Sequence, residues 1–514
     1  MASKLSTASS WLMNSMPENK EEALRFVKEH KWELLAAGTI GYLTYKVMQL
    51  RKLPPGPYGI PLLGYMLQAA GFADGRGQKL MAEYGEISSV QMGFGLQIWI
   101  NSARLLKEAY VHRSSEFSFR PESNWNKVFD FHDDIFSAPY DEQWKKNKKF
   151  LTGALKTMGF GSNTLEGKIL TEADALIAYL EKLQEEAGEE GVCLKEPVAW
   201  TAANLICNII FSQHYEPDDA ELKGMMKMSA DLVDIDVATY LLVESVPFWL
   251  GKHLFTKTIR SAEERSESLQ AFFRPKIDEH MTSRTPGEPR DFIDAYLDER
   301  DGPTLDYRRM LHNCLIFLPD ALDSLPKMLE WMIVGIAANP DVQTKLHKEL
   351  DDVVGRSREP LLKDKKDLHY LEACLEECYR FSNIFLSLAA HTVEKDTTLG
   401  GYTIPKGCQI MGNVYAIHTN AELFPNPEEF KPERHLDADG KFTPNETVVP
   451  FGLGPRACAG QPLSKMELFL LAAKLFHRLE FRFPKGQDAM KCLEGTMRGF
   501  QRCPKDYTLI IKRR

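Results

Sequence analysis

The chain reads as mainly α-helical with a small β region, a single large domain behind an N-terminal anchor helix. Three observations predict this. From Ala103 onward, apolar residues recur three and four apart over long stretches, notably Glu172 to Glu185 and Ile259 to Thr282, which is the period of amphipathic helices. Strand-like text is confined to Ile87 to Met92 and Gln97 to Asn101 around Gly93-Phe94-Gly95, to Thr397 to Gly407, and to Tyr507 to Lys512, and the first two read as a hairpin. Leu34 to Leu50 is apolar apart from Lys46, and Arg51, Lys52 and Pro54-Pro55-Gly56-Pro57 follow at once; such a Pro-Gly run cannot continue a helix.

That apolar run would make a helix roughly 25 Å long, marginal for spanning a bilayer. Lys46 could snorkel to the headgroups, and Tyr42 and Tyr45 suit the interface, so a tilted span and a monotopic helix are both open, with a buried amphipathic helix as the alternative. Residues 1–52 are expected to form the tail and membrane-anchor helix, and 53–514 a catalytic domain. Met1 to Met16 is Ser-rich and free of acid, whereas Glu18 to Glu33 mixes both signs; neither resembles a cleavable secretory signal.

With 44% hydrophobic and 26% charged residues, the 514-residue chain is ordinary globular protein, neither disordered nor a multi-span membrane protein. A net charge of -9 speaks against nucleic acid as a partner, because phosphate neutralisation needs a basic surface. Nine cysteines lie scattered without a C-x-x-C motif, a pattern of reducing compartments, so no structural disulfide is expected.

The most informative stretch is Phe451-Gly452-Leu453-Gly454-Pro455-Arg456-Ala457-Cys458-Ala459-Gly460, ahead of a helix-like run from Gln461 to Leu475. A cysteine just before a helix, among glycines that let backbone N–H groups approach its sulfur, has surroundings that favour the thiolate. A thiolate is what a haem iron needs for oxygen activation, and Arg456 would lie near the porphyrin to pair with a propionate. A lone Cys458 would read as a buried thiol. The pattern F-x-x-G-x-R-x-C-x-G, with five fixed residues in ten, resembles the haem-binding loop of the cytochrome P-450 superfamily. That resemblance implies the cytochrome P-450 fold and haem b bound by Phe451, Arg456 and Cys458, with Cys458 as the metal ligand.

Further motifs follow in the family's order. Glu377-Cys378-Tyr379-Arg380 is an E-x-x-R whose side chains meet on a helix, and Pro432-Glu433-Arg434-His435 resembles the P-E-R-F segment, with His435 in place of Phe. The resemblance makes Glu377, Arg380 and Arg434 a structural network for folding and haem retention. A long helix, Asp306 to Ala338, would cross the distal haem face, and the A-G-x-[DE]-T pattern falls on Asp320-Ala321-Leu322-Asp323-Ser324. Asp323 and Ser324 are then the catalytic acid and alcohol of a proton relay, with Ser324 for the usual Thr and Asp320 where a small apolar residue is usual. Pro319 and Pro326 each delete a helical hydrogen bond, at roughly 3 kcal/mol in a regular interior, so a bulge is expected between Leu315 and Pro326. Trp144 and Lys148 match the W-x-x-x-R propionate-binding helix, with Lys for Arg, and His391 falls where a His or Arg meets the other propionate. Lys145, Lys146 and Lys149 would dock an acidic redox partner; without the resemblance they read as a solvated face.

The similarity runs from the Pro-rich linker to Cys458, through Glu116-Phe117-Ser118-Phe119-Arg120-Pro121, Pro289 to Asp294 and Tyr402 to Gly407, and is strongest to animal microsomal members. It implies an endoplasmic reticulum membrane location facing the cytoplasm, with a mitochondrial membrane as the alternative. It also implies electrons from NADPH through NADPH-cytochrome P-450 reductase, with cytochrome b5 as a further partner, and a lipophilic substrate: steroid, fatty acid or xenobiotic. Asn124 to Ile135, Leu232 to Leu254, Ile384 to Leu388 and the region of Gly499 and Phe500 would line its pocket. Two other readings stay open: a haem-thiolate isomerase or dehydratase acting on a lipid hydroperoxide without a reductase, and a non-catalytic haem- or ligand-binding member.

Overall fold

The structure is a computed structural model and describes residues 28, 30–32, 52–57, 59–60, 63–72, 74–157, 163–233, 235–299 and 307–514. The anchor expected over Leu34 to Leu50 lies outside the described residues, among which no helix is long and apolar enough to cross a membrane. The larger compact unit takes in Pro55–Gly400 and Ile404–Arg514. The smaller unit contains Lys52 and Thr403, and there the Thr403 N–H donates to the Lys52 carbonyl at 2.8 Å.

Helices dominate. Those that matter for the site are α1 (Glu142–Thr157), α2 (Asn163–Ala187), α3 (Lys195–Phe211), α4 (Thr256–Ser283), α5 (Tyr307–Ala337), α6 (Pro340–Val353), α7 (His369–Ser382) and α8 (Gln461–Arg478). The strands are short: β1 (Ile87–Met92), β2 (Gly95–Ile100), β3 (Thr397–Leu399), β4 (Tyr402–Ile404), β5 (Gln409–Gly412), β6 (Leu479–Arg482), β7 (Thr496–Arg498), β8 (Gln501–Cys503) and β9 (Ile510–Arg513). β1 and β2 form the expected hairpin, and β5 joins β2 in parallel, pairing Gln97 with Gln409. All nine cysteines are free thiols.

Helix α5 threads two apolar cores. Its first half puts Met310, Leu311, Leu315 and Leu318 against Trp200 and Phe211 of α3 and Phe273 of α4. Its second half puts Leu325, Met332 and Ile336 against Leu176 of α2, Leu371 of α7 and Phe469 of α8. Full burial stops at Pro319 and resumes at Leu325; between them Ala321 and Leu322 only edge the first core, and no side chain of residues 320–324 is fully buried. The bulge expected between Leu315 and Pro326 does not form: the helix is unbroken from Tyr307 to Ala337. Each proline leaves the carbonyl four residues earlier, on Leu315 or Leu322, without its N–H partner. Burial of both rings beside Leu318 and Leu325 offsets that cost.

The fold locks at Glu377 on α7. Its carboxylate is fully buried. Oε1 accepts from Arg380 at 2.7 Å, Arg434 at 3.0 Å and the Lys431 N–H at 2.9 Å, while Oε2 accepts from Arg380 at 2.8 Å and pairs with His435 at 2.9 Å. His435 is therefore a member of the network rather than a mere replacement for Phe. Arg380 continues to the carbonyls of His418 at 3.0 Å, Pro427 at 2.9 Å and Glu429 at 3.1 Å. The His418 Nδ1–H bonds Asn383 at 3.0 Å, and its Nε2 accepts the Val449 N–H at 2.9 Å. Burial, with Arg380 adjacent, pushes His418 down to about 3, so it serves as a neutral acceptor. The chain of contacts then reaches the cysteine loop, where the Gly452 N–H donates to the Val449 carbonyl at 3.2 Å and the Cys458 N–H to the Phe451 carbonyl at 2.9 Å.

Burial alone would raise the Glu377 carboxyl, but hydrogen bonds from Arg380 and His435 outweigh it and hold it at about 2 against an ordinary 4.5. The stability it contributes is complete above about pH 4.5 and is lost as pH falls towards 2. Glu377→Gln strands buried cations and is expected to cost about 3–5 kcal/mol, read as a lowered denaturation midpoint in urea. His435→Phe removes one hydrogen bond and one unpartnered ring nitrogen, Nδ1, and should cost no more than about 1.5 kcal/mol in the same assay.

Candidate active site

Cys458 sits three residues before the first residue of α8, at the end of a turn built by glycine. Gly454 has φ +73°, and a Cβ there would stand 1.8 Å from the Tyr110 carbonyl oxygen, so only glycine lets the loop lie on that backbone. Seven of the nine thiols are buried, whereas Cys458 is exposed. Burial of the surrounding loop pushes the thiol pKa up, and Asp320 adds to this, while the N–H groups of Gly460 and Gln461 and the Lys148 ammonium favour the thiolate.

Beside the cysteine, cations converge from segments far apart in sequence. The Arg456 guanidinium lies 4.2 Å from the Trp144 ring centroid and donates to the carbonyls of Ser118 at 3.0 Å, Ile135 at 3.3 Å and Ala138 at 2.6 Å. The Trp144 Nε1–H donates to the Ile135 carbonyl at 2.8 Å. Lys148, one turn further along α1, bonds the Pro455 carbonyl. Arg120 reaches the carbonyls of Phe136 at 2.9 Å, Ala389 at 3.2 Å and Ala390 at 2.8 Å. His391 follows those two alanines; its Nδ1–H donates to the Phe117 carbonyl at 2.6 Å, and its ring stacks on Tyr110 at 4.0 Å. Burial, with Arg120 nearby, holds His391 well below an ordinary histidine.

Enclosure pushes Arg120 down to about 10 and, with Arg120 beside it, Arg456 down to about 9. Their hydrogen-bond acceptors here are neutral carbonyls. Nearby, the Ser118 and Ser137 hydroxyls and the Asn147 amide nitrogen are buried without partners. Such a set of donors calls for an anion carrying carboxylates. Together with an accessible thiol at a helix N-terminus, it fits an iron porphyrin with two propionates. Arg120 was legible in the sequence only as part of the Phe119-Arg120-Pro121 string, because the site is closed by folding rather than by spacing.

On α5, Asp323 pairs with Lys327, whose ammonium also bonds Gln501 of β8. The Ser324 hydroxyl donates to the Asp320 carbonyl at 2.6 Å. Both groups named for the relay therefore have protein partners, and Lys327 and Gln501 are neighbours that sequence motifs did not reveal. Lys145, Lys146 and Lys149 are exposed on α1, and Lys145 pairs with Glu142 at 2.7 Å.

Gly454→Ala is expected to lose most bound haem in a pyridine haemochrome assay while circular dichroism keeps its helical signal. Gly153→Ala on α1, where a Cβ meets nothing within 4 Å, should keep both.

Comparison with known proteins gives a consistent family. The family model for Cytochrome P450 matches residues 54–511. Human cytochrome P450 2U1 is 28% identical over 515 residues, covering 94% of this chain and 93% of that protein. Drosophila melanogaster cytochrome P450 18a1 is 29% identical over 507 residues, covering 94% and 91%. A solved structure of a zebra fish cytochrome P450 with progesterone superposes with a TM-score of 0.73 at 28% identity, over 85% of this chain and 98% of that one. The chain belongs to the cytochrome P450 family and is a haem-thiolate monooxygenase.

Proposed function

We propose that Cys458 ligates the iron of a haem b and that Arg120, Arg456, Lys148, Trp144 and His391 surround its propionates. The enzyme then inserts one atom of O2 into a lipophilic small molecule. The observation that carries this reading is the accessible Cys458 thiol beside enclosed guanidiniums whose acceptors are neutral. The bound haem-thiolate supplies the oxygen-activating chemistry. Phe451 packs beside Tyr379, at 5.3 Å between rings, on the loop that presents the thiolate. Arg456 and Arg120 neutralise carboxylates that would otherwise be buried unpaired. Asp323 and Ser324 are the acid and alcohol of a proton relay on α5; Asp323 is held by Lys327, which also bonds Gln501, and Ser324 by the Asp320 carbonyl, so release of those partners frees both groups for the relay.

The N-terminal segment attaches the enzyme to the endoplasmic reticulum membrane with the catalytic domain in the cytoplasm. Electrons come from NADPH through NADPH-cytochrome P450 reductase, assisted by cytochrome b5, docking at Lys145, Lys146 and Lys149. Exposed side chains on one helix support that surface. The progesterone with which the zebra fish cytochrome P450 was solved supports a steroid-sized lipophile.

The engaged state of Asp323 and Ser324 favours a second reading, a haem-thiolate isomerase or dehydratase of lipid hydroperoxides. The deciding experiment supplies reductase and NADPH and follows both cofactor consumption and product. Substrate-dependent NADPH oxidation is expected. Turnover of a lipid hydroperoxide with no NADPH would overturn the monooxygenase reading. Cys458→Ser should abolish the red-shifted carbon monoxide band of the reduced protein, and Ser324→Ala should raise hydrogen peroxide release per NADPH consumed.

A further inference from the structure

We propose that Asp320 makes the distal pocket selective for substrates that carry a positive charge next to an apolar body. This rests on the haem-thiolate reading and adds the substrate class.

Three observations carry it. First, Asp320 begins the middle stretch of α5 in which no side chain is fully buried, and its own is exposed while Leu318, Pro319, Leu325 and Pro326 on either side are buried. The bond from the Ser324 hydroxyl to its carbonyl puts Asp320 one turn before Ser324 on the same helix. Second, its carboxyl has no hydrogen-bond or ion-pair partner among the described residues, unlike Asp323 with Lys327, Glu330 with Tyr507 or Glu377 with its cations. Third, the charged groups that act on it are Asp323 on its own helix and Asp134 from the segment before α1, and it in turn raises the Cys458 thiol. All are acidic groups. Lys327 already serves Asp323 and Gln501.

Asp320 is accessible on a helix whose flanking residues Leu318, Pro319, Leu325 and Pro326 are buried where the two apolar cores meet it, the condition of a group that lines an internal space. A carboxylate so enclosed and faced only by negative neighbours is costly to ionise, and these effects push Asp320 up to about 7. A cation brought by the ligand removes the penalty. Ala321 and Leu322, next to Asp320 in the same stretch of α5, are also only partly buried, so the rest of the ligand has to be apolar. An uncharged ligand gains nothing from Asp320, whereas an anionic one is repelled by it.

The test uses the full-length holoprotein at pH 8 and a matched pair of probes. Benzyltrimethylammonium has a fixed charge and no lone pair to give a metal; neopentylbenzene is its uncharged isostere. Calorimetry should give the cation a dissociation constant at least about tenfold lower than the isostere. Asp320→Asn and Asp320→Ala should bring the ratio to about one while the carbon monoxide band stays intact. A wild-type preference for the isostere, or a cation preference that survives both substitutions, overturns the proposal. So does a ferric absorption spectrum that changes on Asp320→Asn in the absence of any probe with the preference unaltered, because the carboxyl would then serve the metal. A wild-type protein without the carbon monoxide band would instead overturn the haem-thiolate reading on which the proposal stands.

Discussion

One buried carboxylate holds the site in shape. Glu377 accepts from two guanidiniums, an imidazole and a backbone N–H, and so draws residues 431–435 onto α7 across 54 to 58 residues of chain. Breaking such a set leaves several charges unpaired in a medium that cannot solvate them, which is why its cost exceeds that of any surface ion pair. From Arg380 the hydrogen bonds pass to His418, from His418 to Val449, and from there to the loop of Cys458. The position of the thiol is thus set from behind by groups that never approach the substrate.

Much of this was legible in the sequence because it rests on spacing. The glycine positions around Cys458 encode a turn whose Gly454 lies against the Tyr110 backbone, and Glu377 and Arg380 meet because three residues separate them on a helix. The helices α2, α4, α5 and α8 overlap the expected ones. What could not be read is what only three-dimensional closure creates. Arg120 joins Arg456 through loops distant in sequence. His435, which looked like a lapse from the motif, supplies a hydrogen bond to Glu377 instead of a packed ring. The proline penalty was real but was met by packing on both sides of α5, so the expected bulge is absent.

The middle of α5 contrasts with the network behind the thiol. Behind the thiol, each polar atom of the Glu377 carboxylate and each nitrogen of the Arg380 guanidinium has a partner. On α5, Asp323 is tied to Lys327, which also bonds Gln501, yet the carboxyl of Asp320 one turn away has no partner among the described residues. A network whose buried charges are all paired makes a rigid wall; an acid left without a partner makes a surface whose preferred state depends on what arrives. In the functions proposed above, the two sides divide the labour between holding a cofactor and choosing a ligand.

The bonds that close the cysteine pocket span most of the chain: Arg456 reaches the Ser118 carbonyl across 338 residues, and Lys148 the Pro455 carbonyl across 307. Contacts of that range form late, after the entropy of closing very long loops has been met. A growing polypeptide therefore cannot assemble the pocket until the segment that carries Arg456 has left the ribosome. In the proposed function, cofactor capture therefore waits for that segment, and a product truncated before Arg456 lacks both Cys458 and the α8 residues, such as Phe469, that complete the core around α5.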